Sequence, residues 1–312
     1  MGNFLSGFAN DAADAADAAD AADAADAADA ADAASISGLA AYSGRRPSGM
    51  LANALYTTHS EITRGLAWPQ HPVGTKTKLD ATKAMARWSA DVRGAQYVFE
   101  FLANLKFTTT AASATLEYTP GTAPKVQITL NDPPYETAGG DLKAAIKEVL
   151  DAAILRPDRM SEILTQVARP TAFYAMVLNL QPGRHRRTHE LLATIFRLST
   201  LATMQFKHHF RARRPADRSV LVQPVVQTPG HGAYPAGHAA QCRFASDLLK
   251  VLVGKSTEGA NPSPPPPNLN DLTLQLDRLA ERIAENRVVA GLHYKVDNVA
   301  GSTLGAGLAT YF

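Results

Sequence analysis

Three short stretches of this chain gather side chains that bind or attack an oxyanion. KHHFRARRP (207–215) sets Lys207 and Arg214 seven residues apart with Pro215 behind them, and HGAYPAGH (231–238) sets His231 and His238 about a Pro-Ala-Gly turn. NRVVAGLHYKVD (286–297) brings Arg287, His293 and Asp297 in order. Lys and Arg supply charge-assisted donors to an anion, and His adds a proton that can be exchanged near neutral pH. The seven-residue spacing predicts that Lys207 and Arg214 share one face of a helix two turns long, with Pro215 disfavouring its continuation. HAAQCRFASDLLKVLVG carries Cys242, Ala245, Leu249 and Leu252 at helical spacing, so His238 is expected to open a helix. Amides at a helix N-terminus favour an anion, and Gly237 lets the backbone come close to it. Asp297 follows His293 by one helical turn, so its carboxylate can hold one ring nitrogen and leave the other as nucleophile or ligand. Arg287 falls about 120° round from His293 in a straight helix, and Gly291 offers a place to bend.

The elements that must position these groups read as helices. Asp141 is placed to cap a segment with Leu142, Ile146, Val149 and Ala153 on one stripe. Leu191, Ile195, Leu198 and Ala202 form a second stripe, and Leu272, Leu276, Leu279 and Ile283 a third. TKAMARWSADVRGAQYVFEFLANL (82–105) is also compatible with helix, whereas TLEYTPGTAPKVQITL (115–130) alternates around a Pro-Gly turn and predicts one β-hairpin. NPSPPPPN (261–268) reads as a stiff surface connection between helices.

Composition bounds the rest. A chain of 312 residues with 46% hydrophobic content can bury a large core. The single cysteine, Cys242, excludes an internal disulfide and any cysteine zinc motif. No apolar run reaches the roughly 18 residues a membrane span needs, and no signal peptide is recognisable, so the chain is expected to be cytoplasmic. MGNFLS matches the short myristoylation pattern. From Asp11 to Ala34 the chain repeats Asp-Ala-Ala, and a three-residue period leaves a helix no apolar face, so residues 1–34 read as a solvated low-complexity tail. There are 31 basic and 29 acidic residues; without the eight repeat aspartates the balance is 31 against 21, a net +10. The body is therefore basic and suited to an anionic ligand, and charge alone does not say which.

Lys207-x6-Arg214-Pro215, Pro235-Ala236-Gly237-His238 and Arg287-x5-His293-x3-Asp297 together resemble the three ordered signatures of the vanadium-dependent haloperoxidases and type 2 phosphatidic acid phosphatases. The resemblance covers residues 207–297 and, more loosely, the run from about 140 to the end. It implies an all-α, haloperoxidase-like helical bundle; with the hairpin read above as a small β-hairpin insertion, residues 35–312 are expected to form a single helical catalytic domain. Lys207, Arg214 and Arg287 would surround a tetrahedral oxyanion, the Gly237 amide would add a donor, and His238 would be the acid/base. In the haloperoxidase version His293 is the ligand to vanadium in vanadate, and the partners are hydrogen peroxide and a halide. In the soluble acid phosphatase version there is no cofactor: His293 attacks a phosphomonoester, forms a phosphohistidine, and Asp297 orients it. His231 resembles the bromide-oxidising pattern, and HYKVD favours the haloperoxidase side. Two residues depart from the pattern, Ala236 and Asn286, both where Ser is usual. Loss of the hydroxyl at 236 removes a hydrogen bond to a charged group, on the order of 1.5–3 kcal/mol. A non-catalytic anion or nucleic-acid binder with a decayed site is the reading from another class, although no nucleic-acid contact is expected.

Overall fold

In the computed structural model the residues described are 49–62, 64, 81–118, 126–167, 169–257 and 269–312. The Asp-Ala-Ala repeat, the myristoylation pattern, the Pro120-Gly121 turn and the proline connection at 261–268 lie outside them. The chain divides into two compact units, 1–93 and 94–312. Helices α1 (Gly49–Ile62) and α2 (Ala81–Ala86) belong to the first. Helix α3 (Ala90–Ala103) runs across the boundary.

The second unit is mostly helical. A three-stranded antiparallel sheet, β1 (Leu105–Thr109), β2 (Ser113–Tyr118) and β3 (Val126–Asn131), is followed by α4 (Leu142–Ala152), α5 (Arg156–Thr165), α6 (Thr171–Leu178) and the long α7 (Arg186–Phe210). After α8 (Pro215–Arg218) come α9 (Gly237–Thr257), α10 (Leu269–Val289) and α11 (Lys295–Tyr311). The expected hairpin is β2–β3, in register Leu116 opposite Ile128 and Ala114 opposite Leu130. These four face the core, while Thr115 bonds Thr129 at 2.9 Å on the other face, as a two-residue period requires. β1 is an addition: Leu105 ends the helix-compatible stretch, but the run LKFTT pairs Phe107 with Leu116 and turns Phe107 edge-on to Phe206 of α7.

The apolar stripes bury as their spacing demands. Asp141 caps α4 by accepting the Ala144 amide at 2.8 Å, and Val149 is buried. Ile195, Leu198 and Ala202 of α7 and Leu276 and Ile283 of α10 are in the core. On α9, Cys242, Ala245 and Leu249 are buried, but Leu252 is exposed. Helices α9 and α11 approach closely, because Gly301 and Gly305 of α11 lie directly against the Ala236 and Ala240 carbonyls; a Cβ at either would stand 2.3 Å from the oxygen. Close approach is what glycine four residues apart on one helix permits. Among the described residues no helix is long and apolar enough to cross a membrane.

Candidate functional site

The three stretches converge at the ends of α7, α9, α10 and α11. Helix α7 stops at Phe210, where Arg211 takes a left-handed conformation (φ 48°) and its amide bonds the Lys207 carbonyl at 3.0 Å. Lys207 and Arg214 therefore do not share a helical face as their spacing suggested. Arg214 instead precedes Pro215 in extended backbone, and Pro215 begins α8 rather than ending a helix. The two cations meet by another route: residues 231–233 fold back on Ala212, with the Ala233 amide bonding its carbonyl at 2.9 Å. Lys207 Nζ then donates to the carbonyls of Gly232 (2.7 Å) and Ala233 (2.8 Å). Arg214 donates to the carbonyls of His231 (3.0 Å) and Leu292 (2.9 Å), and its Nη2 lies 3.2 Å from His231 Nδ1.

At the end of α10 the chain bends at Gly291, as expected. Its φ of +85° is accompanied by the Gly291 amide on the Val288 carbonyl (2.9 Å) and the Leu292 amide on that of Arg287 (3.0 Å). This pair of bonds is a Schellman cap, which needs the left-handed residue at its glycine. The bend frees His293 from any helix, so the His293–Asp297 spacing is not one turn of a continuous helix. Asp297 lies in the first turn of α11 and accepts the Tyr294 amide at 2.9 Å, a capping interaction. The intended contact forms all the same: His293 Nδ1 is 3.1 Å from Asp297 Oδ2.

The tautomer of His293 follows from its partners. A carboxylate accepts, so Nδ1 carries the proton; Arg214 Nη1, at 3.4 Å from Nε2, can only donate, so Nε2 keeps its lone pair. Asp297 Oδ1 in turn accepts the Tyr135 hydroxyl at 2.8 Å. His238, second in α9, donates Nε2–H to the carbonyl of Gln166 at 2.8 Å. Gly237 opens the same helix, and a Cβ there would meet nothing within 4 Å, leaving space beside a helix-terminal amide.

Electrostatically these groups form one cluster. Lys207, Arg214, Arg287, His293 and Asp297 are all buried. Burial, then Lys207 and Arg214, hold His293 well below the ordinary imidazole value. Burial and Arg287 push His238 down to about 4, and burial and Lys207 do the same for His231. Arg287 is lowered to about 10 by burial. Burial lowers Lys207, and raises Asp297 against the hydrogen bond from Tyr135. The cluster holds three buried cations and one buried carboxylate, an imbalance that is costly unless an anion shares the site. Arg214 Nη1 lies beside the imidazole lone pair, and Arg287 Nε is buried without a partner. A tetrahedral oxyanion, phosphate or vanadate, fits that donor set.

Two contributors came from outside the motifs. Tyr135 lies 162 residues from Asp297 in sequence and nothing local marks it. Gln166, at the C-terminus of α5, accepts at Oε1 from Asn286 (3.0 Å) and Arg287 (3.2 Å) besides its carbonyl contact to His238. Asn286 also donates to Glu162 Oε2 at 2.8 Å, and Arg282 grips the same carboxylate at 2.9 and 2.8 Å, holding Glu162 down to about 2. Asn286 thus ties α10 to α5, and Ala236 packs with Ala239 and Ala284.

Such an arrangement defines a helical bundle with a buried polycationic, histidine-bearing site. Residues 218–312 match the family model of the VCPO second helical-bundle domain. Over 100 residues the chain is 32% identical to a vanadium-dependent bromoperoxidase of Ascophyllum nodosum; the match covers 28% of this chain and 18% of that protein. A solved structure, the first transmembrane PAP2 type phosphatidylglycerolphosphate phosphatase from Bacillus subtilis, superposes at a TM-score of 0.43 and 17% identity, covering 56% of this chain and 85% of that one. Over this C-terminal part the chain is similar to proteins of the superfamily of vanadium-dependent haloperoxidases and type 2 phosphatidic acid phosphatases, and it spans less than a fifth of the length of that bromoperoxidase.

Proposed function

We propose that this protein is a vanadate-dependent haloperoxidase that oxidises a halide, bromide in particular, with hydrogen peroxide. The observation that carries the reading is the Nε2 lone pair of His293, held toward Arg214 within a site of three buried cations and one carboxylate. Vanadate, when bound at that nitrogen, supplies the activation of peroxide toward halide. The remaining work belongs to the chain. Lys207, Arg214 and Arg287 balance the oxyanion's charge, and the Gly237 amide adds a donor. Asp297 keeps the proton on Nδ1 and so keeps Nε2 available. His238, whose Nε2 proton is committed to Gln166, exchanges protons through Nδ1. His231 lies against Arg214, and its resemblance to the bromide-oxidising pattern supports bromide as the halide.

The same lone pair favours a second reading, a soluble acid phosphatase. There His293 Nε2 attacks the phosphorus of a phosphomonoester, the ester oxygen leaves with a proton from His238, and water then cleaves the phosphohistidine. Bromination of a phenol-red-type reporter by metal-free protein, with bromide and peroxide, before and after orthovanadate is added, separates the two when p-nitrophenyl phosphate hydrolysis is run in parallel. The expected result is vanadate-dependent bromination that disappears in His293→Ala. Phosphate release inhibited by vanadate, without bromination, would transfer the protein to the phosphatases.

A further inference from the structure

Gln166 is buried, and the orientation of its amide is fixed by its neighbours. Arg287 Nη2 and Asn286 Nδ2 both meet Oε1, and a guanidinium only donates, so the other amide atom is the Nε2 donor. That Nε2 is buried without a partner. It shares its carbon with an oxygen 3.2 Å from Arg287, and its own backbone carbonyl is 2.8 Å from the His238 ring. Arg287 Nε, in the same cluster, is a second buried donor without a partner. A buried donor left unmade costs about 1–3 kcal/mol, and two such donors on residues that touch each other in a cationic site share a common use if one acceptor-rich anion reaches both. Ala236 lacks the hydroxyl donor to the oxyanion expected at its position, so the anion has a hydrogen bond to make elsewhere.

We infer that Gln166 is a binding residue for the oxyanion, its Nε2 amide donating to the anion beside Arg287 where position 236 has no hydroxyl. The inference rests on the oxyanion site proposed above. Its test is the affinity of the full-length protein for inorganic phosphate and orthovanadate, by calorimetry, in wild type, Gln166→Leu and Gln166→Glu, with Lys207→Ala as a control for the site itself. Gln166→Leu removes the donor and the acceptor, and binding weakens by roughly 10- to 100-fold, the effect of one hydrogen bond to a charged group. Gln166→Glu keeps an acceptor for Asn286 and Arg287, guarding against a fold lost in the leucine variant. With the carboxylate ionised it replaces the donor by an anion, and binding falls further than in Gln166→Leu. In ¹H–¹⁵N spectra, the side-chain NH₂ pair missing from Gln166→Leu shifts in wild type when phosphate is added. If wild type binds neither anion, the oxyanion site itself is wrong. If wild type binds and either variant binds equally well, or the NH₂ pair stays still while Gln166→Leu weakens, Gln166 only holds Arg287 and the inference is overturned.

Discussion

Asp297 Oδ2 lies 3.1 Å from His293 Nδ1 and 2.9 Å from the Tyr294 amide, so one carboxylate oxygen both caps a helix and fixes an imidazole. The Tyr294 amide can only donate, which dictates how an amide at 297 would sit. In Asp297→Asn the carbonyl oxygen stays toward Tyr294 and His293, and the NH₂ turns to the Tyr135 hydroxyl, which can accept. The tautomer survives and only the charge is lost. Asp297→Ala removes both. We expect about a tenfold fall in oxyanion affinity and activity for Asn and about a hundredfold fall for Ala, the range for partners that orient a ligand histidine. Equal losses in the two variants, measured by titration and initial rates, would refute this account of the tautomer.

Tyr135 gives Asp297 its third donor, and that hydrogen bond pulls the carboxyl down against burial. Tyr135→Phe should therefore raise the Asp297 pKa further, moving the acid limb of the activity profile to higher pH. It should also cost about 1.5–3 kcal/mol of stability, the usual worth of a hydrogen bond to a charged group. A pH–rate profile and a urea titration check both parts; an acid limb that stays in place contradicts the link from Tyr135 through Asp297 to His293.

What the sequence revealed of this site was whatever a turn or a helix end can encode locally. Gly291 announced its bend, Asp141 its cap, and His238 the start of α9. The spacing of Lys207 and Arg214 suggested a shared helix because periodicity cannot see a left-handed residue that is not glycine, and Arg211 ends α7 in that conformation. His293 and Asp297 meet for a reason other than a helical turn, since a capping carboxylate reaches back over a similar separation. Gln166 and Tyr135 stayed hidden because their partners lie 72 to 162 residues away in sequence. β1 was hidden by its position, as LKFTT follows a helix directly and acquires its strand partner only when the hairpin folds.

The histidines predict the acid behaviour of the anion-free protein. His231 and His238 are pushed down to about 4 and His293 lies well below 6.5, the value from which each is displaced. Between about 4 and 6.5 the unfolded chain therefore binds more protons than the folded one. Stability is present above that window and is lost as pH falls through it. Asp297, raised by burial, opposes this as one group against three. Lys207, lowered by burial, extends the same upward trend above neutrality. The melting temperature should fall between pH 6.5 and 4, and less steeply with orthophosphate present, because a bound anion favours the charged imidazoles. A melting temperature that rises on acidification in this window, without phosphate, would contradict the burial of neutral histidines.

The close approach of α9 and α11 can be tested independently of any titrating group. Gly301 stands one turn after Asp297 and against the Ala236 carbonyl, immediately before the helix that begins at Gly237. In Gly301→Ala the new Cβ would lie 2.3 Å from that oxygen and 2.9 Å from Ala239 Cβ, and backbone cannot swing aside as a long side chain does. The two helices must separate, costing about 1–3 kcal/mol as overpacking does, and the separation moves Asp297 and His293 away from Gly237 and His238. Gly307→Ala is the comparison: its Cβ would meet the side chain of Ile128 in β3, with Ile128 Cδ1 at 2.4 Å, on the sheet side of α11. Both variants should be less stable in urea, but only Gly301→Ala should also lose affinity for phosphate, by about tenfold or more if one charge-assisted hydrogen bond is broken. Unchanged phosphate affinity in a folded Gly301→Ala protein would show that the packing of these helices does not set the site's geometry.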